Sequence, residues 1–358
     1  MPSPIDPTNL PLTEVDLDIH GALPPGLSGH LATIDRDSFI HSFHLHSGRV
    51  SYLGRSIRTG AAVKDLVAFE GAILAYGEDS SVHQLSIDVG APRRVDLAGH
   101  RRTVAACPMY DQASGELHLV ARDSSGAQTH VVVPAGALTR RSRAIDAPPR
   151  IQGLAIGSDH VVFVADRVVG VAPRDGDMHT TWMPTDIAAP WPIHTHRAGN
   201  TIILLALTPA LERWILLPDG GVIEREVLDP TPRHFAHVSD EFAGGAPRWV
   251  WTTGDDTIGR YDLIDSCHVH HSLRPHMPGD FVVVPDTARP DDVDSGWFVG
   301  FVHDPASATT DLRVIDAIDI TETLAATVRI PRQIPHGLRC TWIPATHNSP
   351  TPPKENKP

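Results

Sequence analysis

Short alternating or wholly apolar runs recur along the chain, bounded by Gly, Asp, Ser and Pro, and helical periodicity is nearly absent. Arg49–Leu53, Leu66–Phe69, Ile73–Tyr76, Val82–Ile87, Leu117–Ala121 and Thr129–Val133 read as strands, and so do His160–Ala165, Thr201–Leu207 and Arg213–Leu217. The series continues through Trp249–Thr252, Phe281–Val284, Trp297–Val302 and Leu312–Asp316. Turn signals separate them, among them His46-Ser47-Gly48, Glu70-Gly71, Asp111–Gly115 and Pro218–Gly221. Strands this numerous and evenly spaced predict an all-β sandwich, barrel or propeller. At about 45 residues per propeller blade, the ordered length corresponds to about seven blades. One short helix is predicted near Ile320–Ala326, with Thr321 as its cap. The pattern divides the chain into an extension (1–14), a single domain (15–344) and a tail (345–358) expected to be disordered.

Composition narrows the function classes. The formal charge of −13 argues against a phosphate backbone as partner, since such proteins need a basic face. No stretch approaches the roughly 18–20 uncharged apolar residues of a membrane span, and no contiguous apolar surface run suggests membrane docking. Met1–Leu12 is Pro-rich and acidic, unlike a secretory signal. The 3 cysteines cannot build a disulfide framework, so a reducing cytoplasm is expected. The 22 histidines fit metal chemistry or neutral surface drift, and their number alone separates neither.

The segment LPPGLSGHLATIDRDSFIHSFHLHSGRVSYLGRSIRT, Leu23–Thr59, resembles the opening of a carotenoid cleavage oxygenase, with Asp35–Ser42 in the register of that family's FDGDGM.HA and both glycines replaced. KDLVAFEGAILAYGEDSSVHQLSID, MYDQASGELHLVARD, GRYDL, GDFVVVPD, DSGWFVGFVHD and LRVIDAIDI follow in family order. ATVRIPRQIPHGLRCTWIP resembles the closing A.V.LP..VP.GFHG.W.P. The resemblance runs from about Val15 to Pro344. It implies a seven-bladed β-propeller with Fe(II) on the axis, held by four histidines from four blades, under a dome that shapes an apolar tunnel. Little sequence remains here for dome insertions, so a reduced dome is expected. Neutral imidazoles suit Fe(II) as donors and leave open positions for oxygen.

At most of those ligand positions this chain carries another residue. The family's AHP segment reads Ala106-Cys107-Pro108, which puts Cys107 at the first position. RIQGLAIGSDHVVFVAD puts Gln152 at the second, followed by Gly153. PIHTHRAGN offers His194 or His196 for the third, and Gly337-Leu338-Arg339-Cys340 puts Arg339 at the fourth. The family's supporting carboxylate falls at Gly279-Asp280-Phe281. A guanidinium has no lone pair to give, so Arg339 cannot ligate. The resemblance adjusted for these residues predicts that no cofactor is favoured, with Fe(II) as the alternative. A metal, if bound, would take His194 or His196 with Cys107. His41 reads as structural, while His44 and His46 face solvent or a blade interface. His268 and His270 have metal-compatible spacing in what reads as a solvated loop, and Arg233, His234 and His237 read as packing or rim residues.

The expected function is action on an apolar or polyene-like small molecule. Arg339 would meet a carboxylate, enolate or phenolate oxygen, and a nearby histidine would move a proton, giving a metal-free cyclase, isomerase or lyase. Two alternatives stay open: an Fe(II) dioxygenase cleaving a C=C bond of an apocarotenoid or stilbene, and a non-catalytic apolar-ligand-binding protein.

Overall fold

Thr201–Leu207 shows how the apolar pattern becomes architecture. Ile202 and Leu204 pack towards one neighbouring sheet, while Ile203 and Leu205 pack towards the other. A strand buried on both faces has no polar side to present, so it reads as an unbroken apolar run. The computed structural model describes residues 12–345 apart from 15, 36, 58, 60–61, 88, 100–101, 107, 137–138, 147–149, 178, 189, 221–223, 240–244, 290–294 and 322–323. The described strands form seven antiparallel sheets, the blades of a β-propeller. Seven apolar clusters fill the interfaces between neighbouring blades. Trp214, Trp251, Phe43, Phe163, Phe281, Phe298 and Phe301 are fully buried there, each side chain contributing roughly 1.5–3 kcal/mol.

The ring closes twice. Cys340–Pro344 pairs with Gly29–Ile34 in the first blade, while Ile19–Gly21 pairs with Leu324–Arg329 in the last. Closure of this kind removes the exposed sheet edges that invite aggregation. The hairpin at Ser47-Gly48 has φ of 51° and 76°, the tight two-residue turn whose twist suits adjoining antiparallel strands.

The innermost strands are Val63–Phe69, Met109–Asp111, Ile151–Ile156, Trp191–Ala198, Phe235–His237, Met277–Pro285 and Cys340–Pro344. Several carry a bulge where the pairing register shifts: Val63/Asp65, Ile151/Gly153, Pro192/His194 and Pro278/Phe281. A bulge re-aims a side chain, here at the propeller axis.

Three expectations change. No helix occurs among the described residues. At Ile320–Ala326 a turn leads into the strand Leu324–Arg329, because Asp316 Oδ1 accepts the backbone N–H groups of Ile318 and Asp319 at 2.8 Å and tightens the chain there. Cys267–Ser272, read as a loop, is the outer strand of its blade. Leu12–Glu14, inside the expected extension, pairs with Tyr52–Gly54. The tail beyond 345 lies outside the described residues. No helix among them is long and apolar enough to cross a membrane.

Candidate active site on the propeller axis

Every inner strand except Met277–Pro285 contributes to a cavity of about 260 Å³ on the axis. His194, His237, Arg339, Cys340, Asp65 and Trp191 are its chemically capable walls. A second space of about 470 Å³ adjoins it, sharing Asp65, Trp191 and Arg339 and adding Lys64, Tyr76, Arg150 and Gln152. Trp191 is 42% exposed, so this second space forms a mouth.

Arg339 precedes the strand that closes the ring, and its carbonyl accepts the Thr33 hydroxyl at 2.7 Å. Its guanidinium lies 4.4 Å from the centroid of the Trp191 ring, and Nη1 is 3.6 Å from Asp65 Oδ2. A cation over an indole face beside one carboxylate is partly compensated and stays at the cavity wall.

His194 is buried, and its Nε2–H donates to the carbonyl of Gly245 at 2.7 Å. Burial pushes its pKa down to about 4, so the ring is neutral at pH 7 and Nδ1 carries a lone pair. His237 Nε2–H donates to Asp280 Oδ1 at 2.7 Å. Asp280 is fully buried, and its second oxygen accepts the backbone N–H of Cys340 at 2.9 Å. One carboxylate thus ties the inner strands of three blades together and fixes the His237 ring. The Cys340 thiol donates to the Asp280 carbonyl at 3.6 Å. Burial, reinforced by the Asp280 carboxylate, holds that thiol well above its ordinary pKa, so it stays protonated.

The predicted residues are distributed as follows. Arg339 and His194 line the axial cavity together, and Gln152, the bulged residue of its strand, lies at the mouth. His196, two residues further along the same strand, lines neither space. Its ring centroid is 5.6 Å from that of His194, and its Nδ1 is buried without a hydrogen-bond partner. Cys107 lies outside the described residues. His237, a packing or rim residue by the sequence pattern, lines the axis. The available signal was Asp280: the histidine it supports is the one held at the axis. Arg233 and His234 do pair away from it, with Asp229 at 2.8 Å and Asp255 at 2.6 Å. His268 and His270 stack at 4.5 Å, and His270 Nε2 meets Asp229 at 3.0 Å. His41 is fully buried against the Tyr52 hydroxyl at 3.1 Å.

The family described as retinal pigment epithelial membrane protein matches residues 188–344. The protein named "Probable carotenoid cleavage dioxygenase 4, chloroplastic" from Arabidopsis thaliana is 26% identical over 176 residues, 40% of this chain and 29% of that protein. Apocarotenoid-15,15'-oxygenase from Synechocystis sp. is 26% identical over 144 residues, 37% of this chain and 29% of that protein. The chain is related to the carotenoid cleavage oxygenases. Cobalt-substituted Synechocystis apocarotenoid oxygenase superposes with a TM-score of 0.81 at 16% identity, covering 95% of this chain and 97% of that one. Pseudomonas brassicacearum lignostilbene dioxygenase gives 0.80 at 16%, covering 94% and 96%. At that identity the structural likeness establishes the fold, the carotenoid-oxygenase propeller.

This kinship corrects the cofactor expectation. The relatives are Fe(II) enzymes, and a matched structure is a cobalt-substituted form, so the reading that favours no cofactor is overturned. The described residues do not make a four-imidazole cage. The axial cavity presents two imidazoles, His194 and His237, together with the cation Arg339. No group of three or more His, Cys, Asp or Glu able to hold a metal stands together among the described residues.

Proposed function

We propose that the protein is an enzyme acting on the double-bond system of an apolar small molecule of the apocarotenoid or stilbene class, seated along the propeller axis. Arg339 meets an oxygen-bearing end of that molecule. The observation that carries this reading is the placement of Arg339 on the wall shared by the axial cavity and its mouth. A guanidinium there stabilises negative charge developing on a carbonyl, enolate or phenolate oxygen. The indole of Trp191 offers a flat apolar face to the conjugated part of the molecule. His237, fixed by Asp280, is placed to accept or return a proton, and neutral His194 lines the same cavity.

Two reactions are consistent with these parts. The relatives' names support oxygenase chemistry, in which a C=C bond and O₂ become two carbonyl groups. The Arg339 and His237 arrangement favours proton transfer, which shifts or closes the double-bond system without changing its mass. The test is incubation of the purified protein, as isolated and after anaerobic Fe(II) loading, with an apocarotenal and a hydroxystilbene under air. Products are read by mass spectrometry. Two oxygenated fragments indicate cleavage, and an isomer of unchanged mass indicates proton transfer. Loss of conversion by about tenfold or more in Arg339→Ala supports the assignment of Arg339. Failure of wild type to convert either compound overturns the proposal.

A further inference from the structure

The mouth of the axial cavity carries charge of the sign opposite to the molecule as a whole. The chain has a formal charge of −13, yet the charged residues lining the mouth are Lys64, Arg150 and Arg339 against the single carboxylate Asp65. Asp65 is already beside Arg339 at 3.6 Å. Lys64 and Arg150 are exposed and form no ion pair with another described residue; Lys64 Nζ lies 5.8 Å from the Tyr76 ring centroid.

Their placement follows from the backbone. Lys64 is the extra residue of the bulge between Val63 and Asp65, and Gln152 is the extra residue of the bulge between Ile151 and Gly153. Arg150 immediately precedes that second strand. Without the bulges, strict alternation would turn these positions to the other face of their strands. Both bulges set a long polar side chain on the same opening. In the adjoining axial cavity Leu66, Val67, Met109, Leu154 and Ile156 supply apolar wall beside the imidazoles of His194 and His237.

We infer that this mouth is a carboxylate subsite, and that the preferred ligand is an amphipathic acid. Its conjugated apolar body lies in the axial cavity, and its carboxylate lies among Lys64, Arg150 and Arg339. The inference rests on the proposed axial binding reading and adds to it the chemical class of the ligand's end. Cations clustered around one opening raise the local concentration of an approaching anion, which gains charge-assisted hydrogen bonds on arrival. Gln152 supplies a neutral amide donor to the same oxygens.

The test compares each of two acids with its own methyl ester: trans-stilbene-4-carboxylate and all-trans-retinoate. Dissociation constants are read from quenching of tryptophan fluorescence in the full-length protein. For wild type, each acid is expected to bind about tenfold or more tighter than its ester at low salt, with that ratio shrinking as ionic strength rises. In the double variant Lys64→Gln with Arg150→Gln the acid-to-ester ratio falls towards one. Both side chains are exposed, and an unchanged circular dichroism spectrum and melting temperature confirm that the variant folds. Equal binding of acid and ester by wild type overturns the carboxylate subsite while axial binding stands. A ratio untouched in the double variant also overturns it. Binding of neither acid nor ester overturns both readings.

Discussion

Asp280 accepts from His237 with one oxygen and from the Cys340 backbone with the other. Removing it leaves a buried N–H and an imidazole N–H without their acceptor, at a cost of about 1–3 kcal/mol. Asp280→Ala is therefore expected to lower stability by that order in urea titration. It should also reduce turnover by about tenfold or more, because the His237 ring loses its fixed orientation. Loss of stability with turnover intact would make Asp280 a structural tie alone. Arg339→Ala is expected to behave differently. Its side chain is 31% exposed and its ion pair with Asp65 is 3.6 Å long, so stability changes by less than about 1 kcal/mol while ligand binding or turnover falls. A large drop in melting temperature with activity retained would contradict the placement of Arg339 against the ligand. Arg339 was legible as a non-ligand from the chemistry of its guanidinium. His237 was not, because its axial position depends on a carboxylate 43 positions away in the chain, in the next blade.

The strands best predicted from the pattern are those deep in the blades, such as Thr201–Leu207, whose ends match the structure. Two-sided burial makes them long and apolar, and such runs are hard to miss. The inner strands were harder. Met109–Asp111 and Phe235–His237 are three residues each, while Ile151–Ile156 and Trp191–Ala198 are interrupted by bulges. Period-2 reading fails where an extra residue breaks the alternation. The same irregular strands carry Lys64, Gln152 and His194, so the stretches least readable as structure hold the candidate site. Energetically the blades depend on the apolar interfaces. Phe301 packs against Phe43 at 5.5 Å between the last and first blades and is 1% exposed. Phe301→Ala is expected to cost about 3–5 kcal/mol, measured as a lower urea midpoint. A change below about 1 kcal/mol would show that this closing interface is not tightly packed.

Several described histidines are buried in neutral form. Burial lowers the pKa of His118, His194 and His303 to about 4 and of His130 to about 2, with Arg174 adding to the effect at His118. In the unfolded chain each takes a proton near the ordinary value of 6.5. The unfolded state therefore binds more protons below that pH, and folding stability falls as pH drops from about 6.5 towards about 4. The carboxylates with lowered pKa, such as Asp229 at about 2, weaken the fold only at lower pH, below their ordinary 3.8. Urea midpoints should therefore decline between pH 6.5 and 5, before carboxylates titrate. A flat profile down to pH 5 would contradict the neutral burial of these histidines. The propeller as a whole was legible in the strand count and the family-like order of segments, because blade repetition leaves a mark on the entire chain. Ring closure by Cys340–Pro344 and Ile19–Gly21 was not, since pairing between strands so distant in the chain leaves no local pattern.

The most direct test of the central claim is a crystal structure of the protein soaked with trans-stilbene-4-carboxylate. Density is expected for the conjugated rings in the axial cavity beside Trp191 and His237, with a ligand oxygen within hydrogen-bond distance of Arg339. Density confined to the outer surface, or an axial cavity left without ligand at saturating concentration, would contradict it.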